Sequence, residues 1–192
     1  MTMPQLAALF AVGVVFAIVV FVAFETYNAV VALRLRIDKA WANVDVVLKQ
    51  RYDMLPNLVA GVRDLMQFEQ DVLTEVTRAR AAYSPAEPIP AQAATSQATS
   101  AAIRSLFAVV EQYPDLGSHV NVLDLQDEIE RIEGMIAARR ELYNDQVYLH
   151  NTRIAQVPAL LLAPLFGWRP GEFFAADPHE IARPDLELRP TR

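Results

Sequence analysis

The sequence predicts an all-α protein in which a single N-terminal transmembrane helix is followed by an up-and-down four-helix bundle. Three observations lead there. Residues Leu6 to Phe24, LAALFAVGVVFAIVVFVAF, contain no charged residue, no Asn and no Gln. Beyond them, apolar residues recur at three- and four-residue spacing through successive segments punctuated by Pro and Gly. The same region is rich in Ala, Leu, Arg and Glu, all strong helix formers. The expected division is a short N-terminus over 1–5, a membrane anchor over 6–24, a helical bundle over 25–157, and an apolar tail with a flexible terminus over 158–192.

The anchor is justified by length and composition together. At 1.5 Å per residue the 19-residue run reaches about 28 Å, close to the thickness of a bilayer's hydrocarbon core. A buried core helix would keep a polar stripe, and this run is apolar all round. A cleaved signal peptide fits less well. No Lys or Arg precedes the run, the run exceeds a usual signal core, and Val22-Ala23-Phe24 is a poor cleavage site. Arg34, Arg36 and Lys39 follow within about 15 residues, so the positive-inside rule places the N-terminus outside and the bundle in the cytoplasm. A bundle in the periplasm is the alternative.

Residues 1–24 are uncharged, so the net charge of −6 belongs to the part that follows. That charge, with a pI near 5.1 and mixed signs, argues against nucleic-acid binding, which needs a basic face. With no cysteine there are no disulfides, no thiolate metal ligands and no thiol nucleophile.

Along the bundle, Val30, Leu33, Ile37, Trp41, Val44, Leu48 and Leu55 form one helical stripe. Asp53 is suited to cap a new helix with Pro56 in its first turn, so residues 52–56 (YDMLP) read as a break, with one long helix kinked at Pro56 as the alternative. The stripe resumes at Leu58, Val59, Val62, Leu65, Met66, Val72, Leu73 and Val76 and ends near Tyr83. Residues 84–100 are a biased Pro- then Ala/Ser/Thr/Gln-rich stretch, a connection that turns helical after Pro90. Ile103, Leu106, Phe107 and Val110 supply the next face. Pro114 and Gly117 turn the chain, and Ser118 or Asn121 caps a long fourth helix carried by Val122, Leu125, Ile129, Ile132, Ile136, Tyr143, Val147 and Ile154 until Pro158. Its heptad-like register suits a coiled-coil-like bundle.

The segment YNAVVALRLRIDKAWANVDVVLKQRYDMLPNLV over 27–59 resembles the opening of the LemA family of small bacterial membrane-anchored helical proteins. TRAR at 77–80, EQYPDL at 111–116, LQDEIERIEGMIAARRELYNDQVYLHNTRIAQVP at 125–158 and LFGWRPGEFF at 165–174 resemble the family in order and spacing. Gln50 stands where the family commonly has Arg or Lys, and the Ala-rich region after Tyr83 is similar only in character. The resemblance implies an N-terminal anchor and a four-helix bundle. It implies no established biochemical activity, although some relatives take part in building membrane compartments such as magnetosomes.

Few residues advertise chemistry. His119, His150 and His179 show no metal-ligand spacing, and neither a Gly-rich phosphate loop nor a GxSxG motif occurs, so no cofactor, metal or catalytic residue is assigned. Asp127, Glu128, Glu130, Arg131, Glu133, Arg139, Arg140 and Glu141 read as a solvated face with an Asp127–Arg131 pair, or, for a hydrolase, as paired carboxylates. Asn28, Asn43, Asp45, Asn144 and Asn151 lie among apolar positions, where they either fix helix register through buried hydrogen bonds or line a partner groove. In the tail, Leu160, Leu161, Leu162, Leu165, Phe166, Trp168, Phe173 and Phe174 either fold back on the bundle or dock on a partner or the lipid interface.

The expected function is that of a noncatalytic membrane-anchored scaffold or adaptor of the envelope, with other membrane proteins as partners and homo-oligomers compatible. The alternatives are a hydrolase using the acidic residues of the fourth helix and a membrane-organising or signal-transmitting protein.

Overall fold

The computed structural model describes residues 3–63, 70–113 and 120–175, and among these all regular structure is helical. Five helices follow in order: α1 Met3–Arg63, α2 Gln70–Ala81, α3 Ile89–Val110, α4 Val120–Ile154 and α5 Ala159–Phe166. The chain divides into two compact units. The first takes the part of α1 up to Ala42 together with Glu141–Gly171, and the second takes Asn43–Arg140 and the residues from Glu172 onward.

In the second unit four helical segments pack in the up-and-down arrangement that the apolar spacing predicts. Pairings along α1 fix the directions. Arg51 meets Glu133 of α4, whereas Gly61, ten residues on, sits against Leu125. Asp45 meets Tyr83 at the end of α2, and Tyr52 meets Arg80. In both cases the partner's number falls as α1's rises, so α2 and α4 run antiparallel to α1. The core is made by Val44, Leu48, Leu55, Leu58 and Val62 of α1 with Leu73 and Val76 of α2, Ile103 and Leu106 of α3, and Ile129 and Ile132 of α4, all buried. Each lies on the three-four stripe of its helix, and burying such a stripe supplies the main driving force for the bundle.

In the first unit the same antiparallel logic joins α1 to the end of α4. The Trp41 and Tyr143 rings meet edge to face at 5.3 Å, and Val30 and Ile154 share a buried cluster with Ala159 and Trp168. The apolar segment at the start of α1 is long enough to cross a membrane, and none of that stretch is buried in the fold.

Two elements depart from the sequence reading. The expected break at 52–56 does not occur, because α1 continues through Pro56 to Arg63. Proline at 56 removes the amide that would bond the Tyr52 carbonyl four residues back. That carbonyl instead accepts a hydrogen bond from Arg80 Nε of α2 at 3.3 Å. The alternative of one long helix containing Pro56 is therefore the one that forms, and a tertiary donor supplies what the proline lacks. The second departure is α5, a helix inside the apolar tail. Gly167 ends it in the left-handed conformation, at φ 64°, with its own amide and that of Trp168 (3.0 Å) both bonded to the Ala163 carbonyl. This turn points Trp168 back into the Val30–Ile154–Ala159 cluster.

Agreement elsewhere is close. α3 starts at Ile89 with Pro90 in its first turn, where a missing amide costs nothing, and α4 runs to Ile154 before Pro158. Leu65 and Met66, the turn expected at Pro114 and Gly117, the cap expected at Ser118 or Asn121, and residues 176–192, expected as part of a flexible terminus, lie outside the described residues or side chains.

Because Arg80 serves the Tyr52 carbonyl in place of a helical amide, Arg80→Ala will cost about 1 kcal/mol, the usual net worth of one hydrogen bond. In a Pro56→Ala background, where the helix regains its own donor, the loss will be clearly smaller. Urea unfolding of the full chain in detergent reads both, and equal losses in the two backgrounds would refute the account.

Candidate functional site

The largest fully buried side chain is that of Arg51, at 0% exposure. It occupies the same α1 stripe as Leu48 and Leu55, at the position where an aliphatic residue is expected, so its guanidinium is carried into the second unit's interior. Desolvating a charge of this kind is costly unless it is paired and its donors are satisfied. Nη1 donates to Glu133 Oε1 at 2.9 Å and to Ser100 Oγ at 3.0 Å; Nη2 donates to Ser96 Oγ at 2.9 Å and to the Tyr52 hydroxyl at 3.1 Å. Four of the five guanidinium N–H groups thus have protein partners, and Nε has none.

The proton inventory around this arginine is consistent. Ser100 accepts from Arg51, and its one hydrogen goes to Glu133 Oε2 at 2.7 Å, a charged and closer acceptor than the Ser96 carbonyl at 3.1 Å, closing a ring of three groups. Thr99 spends its hydrogen on the Thr95 carbonyl at 2.8 Å, so the Tyr52 hydroxyl, 3.2 Å away, donates to Thr99. Ser96, Thr99 and Ser100 fall at i, i+3 and i+4 on α3, one polar stripe facing the arginine. Tyr52 carries the network outward. Its ring stacks on Tyr83 with centroids 4.0 Å apart, and the Tyr83 hydroxyl donates to Asp45 at 3.1 Å. Burial, and then the neighbouring Asp45 carboxylate, push the Tyr83 hydroxyl up to about 12 from its ordinary 10.0.

Glu133 differs from its partner in being 30% exposed. It lines a groove of about 270 Å³ with Ser96, Ser100, Ile136 and Phe174 among others. Phe174 is itself buried, so this part of the tail closes on the helices of the second unit. Glu133 is therefore committed to Arg51 and Ser100 rather than standing as an unengaged acid or base. Its neighbour Glu130 is exposed and accepts from Gln126 at 3.3 Å. The expected Asp127–Arg131 pair is replaced by a bidentate contact from Arg131 to Glu128, one helical turn away, with Nε to Oε2 at 2.7 Å. The hydrogen bonds from Arg131 hold the Glu128 carboxyl below its ordinary range.

The polar residues singled out from the sequence scatter. Asn28 and Asn43 are exposed, so a buried register role does not fit them: both positions lie off the buried stripe marked by Val30 and Val44. Asp45 is half-buried and receives Tyr83. Asn144 is half-buried. Asn151 holds the tail, since its amide donates to the Gly171 carbonyl at 3.0 Å and its oxygen accepts the Gly171 amide at 2.7 Å. The adjacent His150 is buried, with Nδ1 3.3 Å from the Asn151 oxygen and no partner on Nε2. His119 and His179 lie outside the described residues. Among the described residues no three His, Asp or Glu side chains converge as metal ligands.

The tail divides as well. Trp168 and Phe174 are buried and Phe173 is half-buried, whereas Leu161, Leu165 and Phe166 remain exposed. Neither expectation for the tail holds for all of it: Trp168, Phe174 and, in part, Phe173 and Leu162 fold back, whereas Leu160, Leu161, Leu165 and Phe166 stay exposed. Arg51 and the α3 hydroxyls were absent from the sequence-based candidates. The signal for them was a gap in the α1 stripe between Leu48 and Leu55 and the i, i+3, i+4 spacing of Ser96, Thr99 and Ser100.

Two outcomes test this network. Glu133→Gln leaves a buried cation without its anion and will lower unfolding stability by about 2 to 3 kcal/mol, below the ~3–5 of a fully enclosed pair because water reaches Glu133. Arg51→Met will cost less, since the freed Glu133 can turn to the groove; urea unfolding that ranks the two the other way would contradict the asymmetry. For Tyr83 the folded-state value is raised, so its contribution is complete below pH 10 and is lost as pH rises through 12. Stability will fall more steeply across that window in the native chain than in Tyr83→Phe.

A protein-family model, the LemA family, matches residues 40–187. Two proteins of Paramagnetospirillum magneticum (strain ATCC 700264 / AMB-1), magnetosome protein MamQ 2 and magnetosome protein MamQ 1, are each 35% identical over 77 residues. That stretch is 40% of this chain and 28% of each relative, so the chain matches under a third of their length. The family match takes in the Arg51 network, the whole of α2 to α5 and the tail beyond them, and the chain belongs to the LemA family.

Proposed function

We propose that this protein is a noncatalytic, membrane-anchored helical scaffold of the bacterial envelope, with α1 crossing the inner membrane and the helical units held on the cytoplasmic side to engage other membrane proteins. The observation that carries the reading is that one helix, α1, bears both an exposed apolar segment of membrane-crossing length and the core side chains Val44 to Val62 of the bundle. The side for the bundle rests on Arg34, Arg36 and Lys39 following the apolar segment. Two further features support a binding role over a catalytic one. The buried charged and hydroxyl groups of the second unit are committed to one another, with Glu133 tied to Arg51 and Ser100. In the first unit, Leu35 of α1 and Leu142 and Leu149 of α4 are exposed large apolar side chains. The last two are seven residues apart on one helical face, the spacing of a helix-pairing seam. Likeness to two magnetosome proteins favours partners that organise membrane.

A photo-crosslinking residue at Leu142 or Leu149 in living cells will give discrete adducts with integral membrane proteins, and the same residue at exposed Glu75 of α2 will not. In those cells Ala94→Cys, on an exposed position of α3, will react with an impermeant maleimide only after permeabilisation. Adducts absent from Leu142 and Leu149, or formed only with further copies of this chain, would overturn the adaptor reading. Labelling of intact cells would overturn the cytoplasmic placement.

A further inference from the structure

The eight residues of α5, ALLLAPLF, include no polar side chain. Its inner face is accounted for, with Ala159 buried and Leu162 and Ala163 packed on the cluster of Val30, Ile154 and Trp168. Its outer face is not, because Leu161 is 72% and Leu165 77% exposed and Leu160 and Phe166 are exposed beside them. A surface helix in water carries polar residues on its outer side, so this one is built for an apolar surrounding.

The position of α5 says which surrounding. The Phe166 ring lies 5.0 Å from that of Tyr27 and 5.2 Å from that of Trp168, and Trp168 is 6.2 Å from Tyr27. Phe166 also closes a wholly apolar groove with Val20, Ala23, Phe24 and Tyr27. The outer face of α5 and the last turns of the apolar segment are thus one continuous surface, and whatever covers Phe24 extends over Phe166. Tyr27 stands about 4.5 Å past Phe24 along the helix, within the depth of the headgroup and acyl boundary. A Tyr, Phe and Trp cluster at the end of an apolar span is the composition of a membrane-interface belt, and exposed Arg169 follows Trp168 directly. The one buried hydroxyl of this turn, Thr26, donates to the Val22 carbonyl at 2.7 Å and so needs no water.

We propose that α5 lies in the acyl-headgroup boundary of the bilayer that α1 crosses, inserting Leu161 and Leu165, so that the protein contacts lipid through a second segment some 135 residues after the apolar run ends at Phe24. The proposal rests on the anchor reading above, and its test separates the two. The chain has no cysteine, so Leu161→Cys, Leu165→Cys, Val15→Cys and Ala94→Cys each give one site for an environment-sensitive fluorophore. The full-length variants are reconstituted in vesicles of phosphatidylcholine and phosphatidylglycerol carrying a nitroxide either near the headgroup or deep in the acyl chain. Leu161 and Leu165 probes will lose most fluorescence to the shallow nitroxide, Val15 to the deep one, and Ala94 to neither. Val15 quenched with Leu161 and Leu165 unquenched would overturn the lipid contact and leave the anchor standing, and Val15 unquenched would overturn both. Blue-shifted Leu161 and Leu165 probes that respond to protein density rather than to nitroxide would give this face to a second copy of the chain and also overturn the proposal.

Discussion

A guanidinium with no exposure to water fixes more of this protein than any apolar contact does. Hydrophobic side chains tolerate many arrangements of similar volume, but Arg51 needs acceptors at set distances and in the plane of its fork. Meeting that need draws in three elements at once: hydroxyls on α3, a carboxylate on α4 and the neighbouring Tyr52 on α1 itself. The small residues of α3 follow from the same demand. Ala93, Ser96 and Thr99 are all buried, and bulkier residues there would fill the space that the arginine occupies. Register between helices is therefore set by hydrogen-bond geometry, with the apolar stripes supplying the driving force but little of the specificity.

The first unit solves a different problem. Its part of α1 leaves an apolar span with only the last portion of α4 and the tail for company, and aromatic residues do most of the joining. Trp41 with Tyr143 at one level and Tyr27 with Phe166 and Trp168 at another meet as rings of large apolar bulk, to which Tyr and Trp add a polar group. Asn151 then fixes the tail by meeting both polar groups of the Gly171 backbone, so a segment without regular structure still has its main chain satisfied. The return of Trp168 to the core, while Leu161, Leu165 and Phe166 stay outside, depends on the left-handed turn at Gly167.

Periodicity and punctuation made the helices legible. The apolar span, the start of α3 at the prolines and the length of α4 all follow from local rules, and the family resemblance was carried by residues that lie mainly on α1 and α4. What was not legible depended on partners distant in sequence. Pro56 reads as a break because the sequence around it holds no substitute donor, and Arg80 is 24 residues away. Arg51 was not among the candidates, because burial of a charge is decided by what faces it and its partners lie on α3 and α4. Asn28 and Asn43 were misplaced for the opposite reason, since nearness to a stripe in sequence does not put a residue on it. Helix α5 was hidden by its composition, which carries no amphipathic pattern to detect.

The residues from Arg51 to Pro56 share a property that bears on how the chain matures as it leaves the ribosome. The Tyr52 carbonyl waits for Arg80 of α2, and the Arg51 fork waits for the hydroxyls of α3 and for Glu133 of α4, so the arginine lacks its full set of partners until the chain has emerged beyond residue 133. Until then solvent must serve the unmet donors, and this turn of α1 stays wet. The drying of one turn of α1 is thus decided by residues some eighty positions further along the chain.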